Sequence, residues 1–183
     1  MNSTPTITSS QSILQSIFGY ASFRPPQDKI IQTVVEGGDA LVLMPTGGGK
    51  SLCYQIPALC MDGTAIVISP LIALMQDQVK ALKAKGIHAA AISSALSAAE
   101  RRWAPQRHIV FEVQSQLAPD LLVILYREVI RSIELASGPK LVYVTPETLV
   151  TEAFMSILHK VEAAGRLALF AVGEWSGGGG VPF

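Results

Sequence analysis

A chain of 183 residues is long enough for one domain with a proper hydrophobic core and too short to promise two. Apolar residues make up 49% and charged residues 15%, which excludes the low-hydrophobicity composition of disordered chains. The formal net charge is zero, so no bulk positive field marks a nucleic-acid binder, and any such contact must be local.

Residues 1–12 are rich in Ser and Thr, with neither a basic nor an apolar signal region, and read as a disordered leader. Apolar residues from Ile13 to Phe18 precede Gly19, and Pro25 and Pro26 open a helical pattern with Ile30, Ile31, Val34 and Val35 on its apolar side, ended by Gly37 and Gly38. The apolar run Ala40 to Met44 reads as a short buried strand; Pro45, a glycine cluster and a helix over Ser51 to Cys60 follow. Cys53 and Cys60 fall near one face of that helix, two turns apart, as buried thiols that cannot easily bridge.

The rhythm then repeats. Thr64 to Ile68 is a predicted strand, Leu71 to Lys85 a helix ended by Gly86, and His88 to Ile92 another strand. Residues 103–124 keep no sustained period and are read as a possible insertion, followed by helical character from Tyr126 to Glu134. Lys140 to Val144 is a strand, Glu147 to Ala164 a helix, and Leu167 to Val172 a last buried strand; residues 176–183 form a flexible glycine-rich tail. Although mean hydropathy is positive, the apolar stretches at 121–126 and 167–172 fall far short of the roughly 18 residues a membrane span needs. Short apolar strands alternating with helices imply an α/β fold: a mostly parallel sheet covered on both faces, with ligands at the carboxyl ends of the strands.

Met44-Pro45-Thr46-Gly47-Gly48-Gly49-Lys50-Ser51 follows a predicted strand and precedes a predicted helix, the setting that turns a glycine-rich string into a phosphate site. Gly47, Gly48 and Gly49 let successive amides face one anion, and the helix adds its positive end. Lys50 would hold the β- and γ-phosphates of a nucleotide and Ser51 would offer a hydroxyl to Mg²⁺. His88, His108 and His159 are isolated, and none reads as a metal ligand.

With that loop in place, four blocks resemble, in order, the RecQ family of superfamily 2 helicases: Phe18 to Gln27, Met44 to Leu59, Ser69 to Val79, and Tyr143 to Leu149. The resemblance implies that residues 13–175 form an incomplete RecA-like P-loop lobe. It implies ATP and Mg²⁺ as cofactors and DNA, single-stranded or partly duplex, as partner. Tyr20, Arg24 and Gln27 would take the adenine, by stacking, charge and a two-way amide, and Thr46 would join the phosphate loop. Ser69, Pro70 and Leu71, with Thr145, Pro146 and Glu147, would position the DNA backbone from helix starts without reading bases.

By the same resemblance the chain would belong to a 3′ to 5′ ATP-dependent DNA helicase of repair and recombination, found with the chromosome, in the nucleus of a eukaryote. At the family's Asp-Glu-Ala-His block, however, this chain reads Gly173-Glu174-Trp175-Ser176. Glu174 can occupy the general-base position beside Lys50, while Gly173 brings no carboxylate to the metal. The sequence ends at Phe183 without a second lobe, so this polypeptide alone is expected to be inactive. The competing reading is a non-catalytic nucleotide or nucleic-acid binding module; a different P-loop enzyme, such as a kinase, would explain only the phosphate loop.

Overall fold

The computed structural model describes residues 7–45, 47–93, 109–110, 132–133 and 138–173. In chain order they form helix α1 (Ile7–Ile13), a π-helical turn (Leu14–Phe18), α2 (Gln27–Val35), α3 (Leu52–Cys60), strand β1 (Thr64–Ile68), α4 (Ile72–Lys83), β2 (Ala89–Ser93), β3 (Ile109–Val110), β4 (Leu141–Val144), α5 (Pro146–Leu149), α6 (Glu152–Ala163) and β5 (Leu167–Val172). The strands make one sheet in the order β3-β2-β4-β1-β5. Every pairing is parallel except that of the two-residue edge strand β3 with β2.

Side chains alternate across a parallel sheet, and here both faces are apolar. Ile66, Ala90, Ile92, Val142 and Val144 pack on Phe154, Ile157, Leu158 and Val161 of α6. The opposite face carries Ala65, Val67, Ala89, Ala91, Leu141 and Tyr143, packed on Met75, Val79 and Leu82 of α4 and on Ala58 of α3. Opposite placement of α4 and α6 follows from handedness. The β1-to-β2 crossover travels toward one edge of the sheet and the β4-to-β5 crossover toward the other, so two right-handed connections must lie on opposite faces. A satellite core of Leu14, Ile31, Val35 and Ile56 stacks α2 and the π-helical turn on the outer side of α3.

Several expectations need correction. Helix α1 begins at Ile7, inside the stretch expected to be disordered. The segment is tied down where Ser10 is buried beside Cys60 and Leu14 enters the satellite core. The helix expected from Glu147 to Ala164 is two helices, because Thr151 takes an extended conformation and caps α6 by accepting from the Phe154 amide. Thr145 caps α5 in the same way. The strand expected at Ala40 to Met44 is absent: residues 38–45 carry no regular structure, and Leu41 and Leu43 are 92% and 88% exposed. An apolar run can be told from a strand only by pairing, and no strand among the described residues pairs with this one.

The same absence changes β5. Its apolar run predicts a buried strand, but it lies at the sheet edge, with Phe170 and Val172 51% and 73% exposed. The irregular segment at 103–124 lies outside the described residues apart from β3, the helical character at 126–134 apart from Ser132 and Ile133, and the tail at 176–183 entirely.

The two ends of this burial range give a stability test. Phe154, fully buried under the sheet, is expected to cost about 3–5 kcal/mol on Phe154→Ala. Leu43→Ser is expected to stay within about 0.5 kcal/mol of the parent. Urea unfolding of the two variants measures both, and equal losses would mean that Leu43 is packed after all.

Candidate phosphate and strand-end site

Parallel pairing in register brings three strand ends to one line. Ile68 pairs with Val144 on one side and with Val172 on the other, so the next residues, Ser69, Thr145 and Gly173, emerge side by side. The ladder continues one step further, since Ser69 donates its amide to the Val144 carbonyl at 2.9 Å and Gly173 donates to the Ile68 carbonyl at 2.7 Å. This is the carboxyl edge of the sheet, where open α/β sheets hold ligands.

The phosphate loop leads into α3, directly beside that edge: Ser51, just before the helix, lines a small cavity of about 30 Å³ together with Tyr54, Ser69, Gln78, Tyr143 and Gly173. Gly47 and Gly49 have φ values of +79° and +83°, the left-handed region that other residues enter only with strain. At Gly48 a Cβ would meet the Pro45 carbonyl at 2.9 Å, and at Gly49 it would run into the Gln27 amide nitrogen. The three glycines are therefore required by backbone shape and close approach. Lys50 reaches back across the loop and donates from Nζ to the Met44 carbonyl at 2.8 Å. Thr46 lies outside the described residues.

Gln27 is buried at the first turn of α2, and its amide serves the loop. Its Oε1 accepts from the Arg24 amide at 2.8 Å, and its Nε2 donates to the Gly49 carbonyl at 3.2 Å and, more weakly, to the Gly48 carbonyl at 3.4 Å. Arg24 reaches the Gly47 carbonyl at 3.4 Å, and Tyr20 stands half exposed. Two of the three residues expected at an adenine, Arg24 and Gln27, thus meet the phosphate loop, with Gln27 bracing it from behind.

Of the six residues expected to meet a nucleic-acid backbone, Pro70, Leu71 and Glu147 are exposed, Pro146 is half-buried, and Ser69 and Thr145 are buried. The hydroxyls of the last two are engaged locally: Ser69 Oγ accepts from the Leu71 amide at 3.3 Å, and Thr145 Oγ1 accepts from the Thr148 amide at 3.3 Å. Those side chains shape the loops, leaving backbone groups and the exposed neighbours to face a ligand.

Glu174 lies outside the described residues. For a metal, the described donors reduce to the Ser51 hydroxyl, since Gly173 has no side chain and no cluster of three or more His, Cys, Asp or Glu residues occurs among the described residues. A dedicated Mg²⁺ site normally includes one or two carboxylates, so these residues do not fit one. A Cβ at Gly173 would meet the Ile68 carbonyl at 3.2 Å and Ser69 Cβ at 3.7 Å, a tight but accommodable position.

Behind the site lies a polar cluster that the sequence reading did not single out. Tyr143 projects from β4 and Tyr54 from α3, with ring centroids 6.4 Å apart and nearly perpendicular and hydroxyls 3.4 Å apart. Gln55 Nε2 donates to Gln78 Oε1 at 2.8 Å and to the Tyr143 hydroxyl at 3.3 Å. Burial is the chief cause that pushes both tyrosine hydroxyls above their ordinary value, Tyr143 furthest, so both stay protonated. The available signal was a Gln in the apolar run of α3 and a Tyr inside the apolar strand Leu141–Val144.

Against known proteins, the family described as DEAD/DEAH box helicase matches residues 24–174. The chain is 42% identical over 147 residues to the ATP-dependent DNA helicase RecQ of Haemophilus influenzae, covering 80% of this chain and 20% of that protein. It is 42% identical over 153 residues to RecQ of Bacillus subtilis (83% and 22%) and 40% identical over 163 residues to ATP-dependent DNA helicase Q1 of Mus musculus (88% and 22%). The chain spans about a fifth of the length of these curated relatives.

Two expectations follow from the geometry. Gly47→Ala meets only backbone strain, about 1–2 kcal/mol, whereas Gly49→Ala adds a collision with Gln27, so urea unfolding should rank Gly49→Ala clearly lower. Unfolded tyrosine ionises near pH 10 while folded Tyr143 does not, so stability is full below about pH 10 and falls as pH rises above it. The fall should be shallower in Tyr143→Phe, and identical alkaline slopes would contradict the burial of that hydroxyl.

Proposed function

Because the chain belongs to the DEAD/DEAH box helicase family, with RecQ helicases among its relatives, we propose that it is the ATP-binding lobe of a 3′ to 5′ DNA helicase acting in repair and recombination. The observation that supports this best is the phosphate loop at the start of α3, standing beside the aligned ends of β1, β4 and β5. Nucleotide phosphates bind the amides of Gly47 to Ser51 at the helix start. Lys50 turns from the Met44 carbonyl to the β- and γ-phosphates, exchanging a neutral acceptor for ionised ones. Thr46 completes the loop, and Tyr20 and Arg24 flank the base.

Gln27 reads the adenine edge only as far as its amide is released from the loop carbonyls. Single-stranded DNA lies across Ser69 to Leu71 and Thr145 to Glu147, held through its backbone. The protein works at the chromosome, in the nucleus of a eukaryotic host; no described helix is long and apolar enough to cross a membrane.

Hydrolysis by this polypeptide is weak. Phosphoryl transfer depends on positioning and charge neutralisation, and Gly173 brings no carboxylate for Mg²⁺, even with Glu174 as general base. That one observation favours a second reading, a nucleotide and DNA binding module without turnover.

Equilibrium binding of a fluorescent ATP analogue tests the proposal. Lys50→Ala should weaken binding about ten- to a hundredfold, the equivalent of one or two charge-assisted hydrogen bonds. Replacing Mg²⁺ by a chelator should change the affinity of the parent by less than about threefold, and Gly173→Asp should introduce a Mg²⁺ dependence. An unchanged affinity in Lys50→Ala would remove the phosphate-loop assignment, and steady ATP hydrolysis by the parent would remove the binding-module reading.

A further inference from the structure

The partly buried cluster behind the phosphate loop connects three elements that carry different parts of the proposed site. Ser51 and Tyr54 flank the start of α3, which the phosphate loop enters. Gln78 sits on α4, the helix that begins just after Ser69-Pro70-Leu71, and Tyr143 sits on β4 two residues before Thr145. Gln55 joins them, donating to Gln78 at 2.8 Å and to Tyr143 at 3.3 Å. From these contacts we infer that Gln55, Gln78 and Tyr143 are positioning residues that couple nucleotide binding at the phosphate loop to single-stranded DNA binding at the loops after β1 and β4. The inference rests on the function proposed above.

Three features favour coupling over simple packing. Polar side chains in an apolar core cost stability unless they are paired; Val67, Met75, Leu141 and other apolar residues around this cluster would pack against a hydrocarbon at least as well. The bonds are unequal: the Gln55 to Gln78 contact is at full strength, while those to Tyr143, at 3.3 and 3.4 Å, are longer than the optimum of about 2.7–3.0 Å. A displacement of α3 by a few tenths of an ångström would tighten or break them. Room for it exists, because the cavity of about 30 Å³ is lined by Ser51, Tyr54, Ser69, Gln78, Tyr143 and Gly173. Phosphate binding at the loop acts on Ser51 and the first turn of α3, and the cluster passes that displacement to α4 and to the end of β4.

The test measures the affinity of a fluorescent ATP analogue for the whole chain with and without saturating oligothymidylate. In the parent, DNA should tighten nucleotide binding about fivefold or more, within the usual range of coupling between sites. Gln78→Leu and Tyr143→Phe should keep the DNA-free nucleotide affinity within about threefold and bring the DNA effect close to one. Gln78→Glu, which retains an acceptor for Gln55, should restore it. In a cycle of single and double variants, the losses from Gln78→Leu and Tyr143→Phe should not add.

A DNA effect that survives in both variants overturns the inference, as does a parent that binds nucleotide and DNA without mutual effect. Variants that lose both affinities together with melting temperature would make the cluster structural only. A parent that binds no nucleotide removes the proposed function itself, and a parent that binds nucleotide but no DNA removes its nucleic-acid half; the inference falls with either, and the two failures are told apart by the first titration.

Discussion

Everything functional in this molecule depends on the parallel register of β1 with its two neighbours. Pairing Ile68 with both Val144 and Val172 makes three chain segments, distant in sequence, leave the sheet at the same level. A slip of one residue in any of them would exchange the side chains packed under α4 with those packed under α6, mismatching their volumes. Because both faces are packed by helices, such a slip is strongly disfavoured, and the alignment of Ser69, Thr145 and Gly173 is held by the whole hydrophobic core.

The phosphate loop hangs on this frame through α3. Its shape comes from glycines at left-handed positions and from Gln27, whose amide grips the loop carbonyls from α2. The loop is thus braced by α2 and the satellite core behind it, while the Tyr54, Gln55, Gln78 and Tyr143 cluster ties α3 to α4 and β4. Backbone amides bind phosphate well only when they are held in place beforehand, and Gln27 does that holding.

The opposite tendency is visible at β5. With Ala40 to Met44 outside the sheet, β5 stands at the edge, and Phe170, Val172, Leu41 and Leu43 stay in water. The strand still ends at the right level beside β1, yet the residue it delivers there is a glycine. That position therefore presents only a backbone at the strand end, with no side-chain oxygen beside Ser69 and Thr145.

Local patterns in the sequence determined much of this. The bounds of β1 and β5, the helices at 52–60 and 72–83, the parallel α/β class and the glycine requirement at 47–49 can be read directly, because apolar period, turn residues and motif spacing are local properties. Tertiary structure alone decided the rest. It left Leu41 and Leu43 unpaired, since a strand exists only with a partner; it split the helix at Thr151, where a side-chain cap outcompeted continuation. It also gathered Gln55, Gln78 and Tyr143 into one partly buried cluster. No spacing rule reveals that cluster, because its members lie 23 and 88 positions apart and meet only through the packing of α3 and α4 on β4.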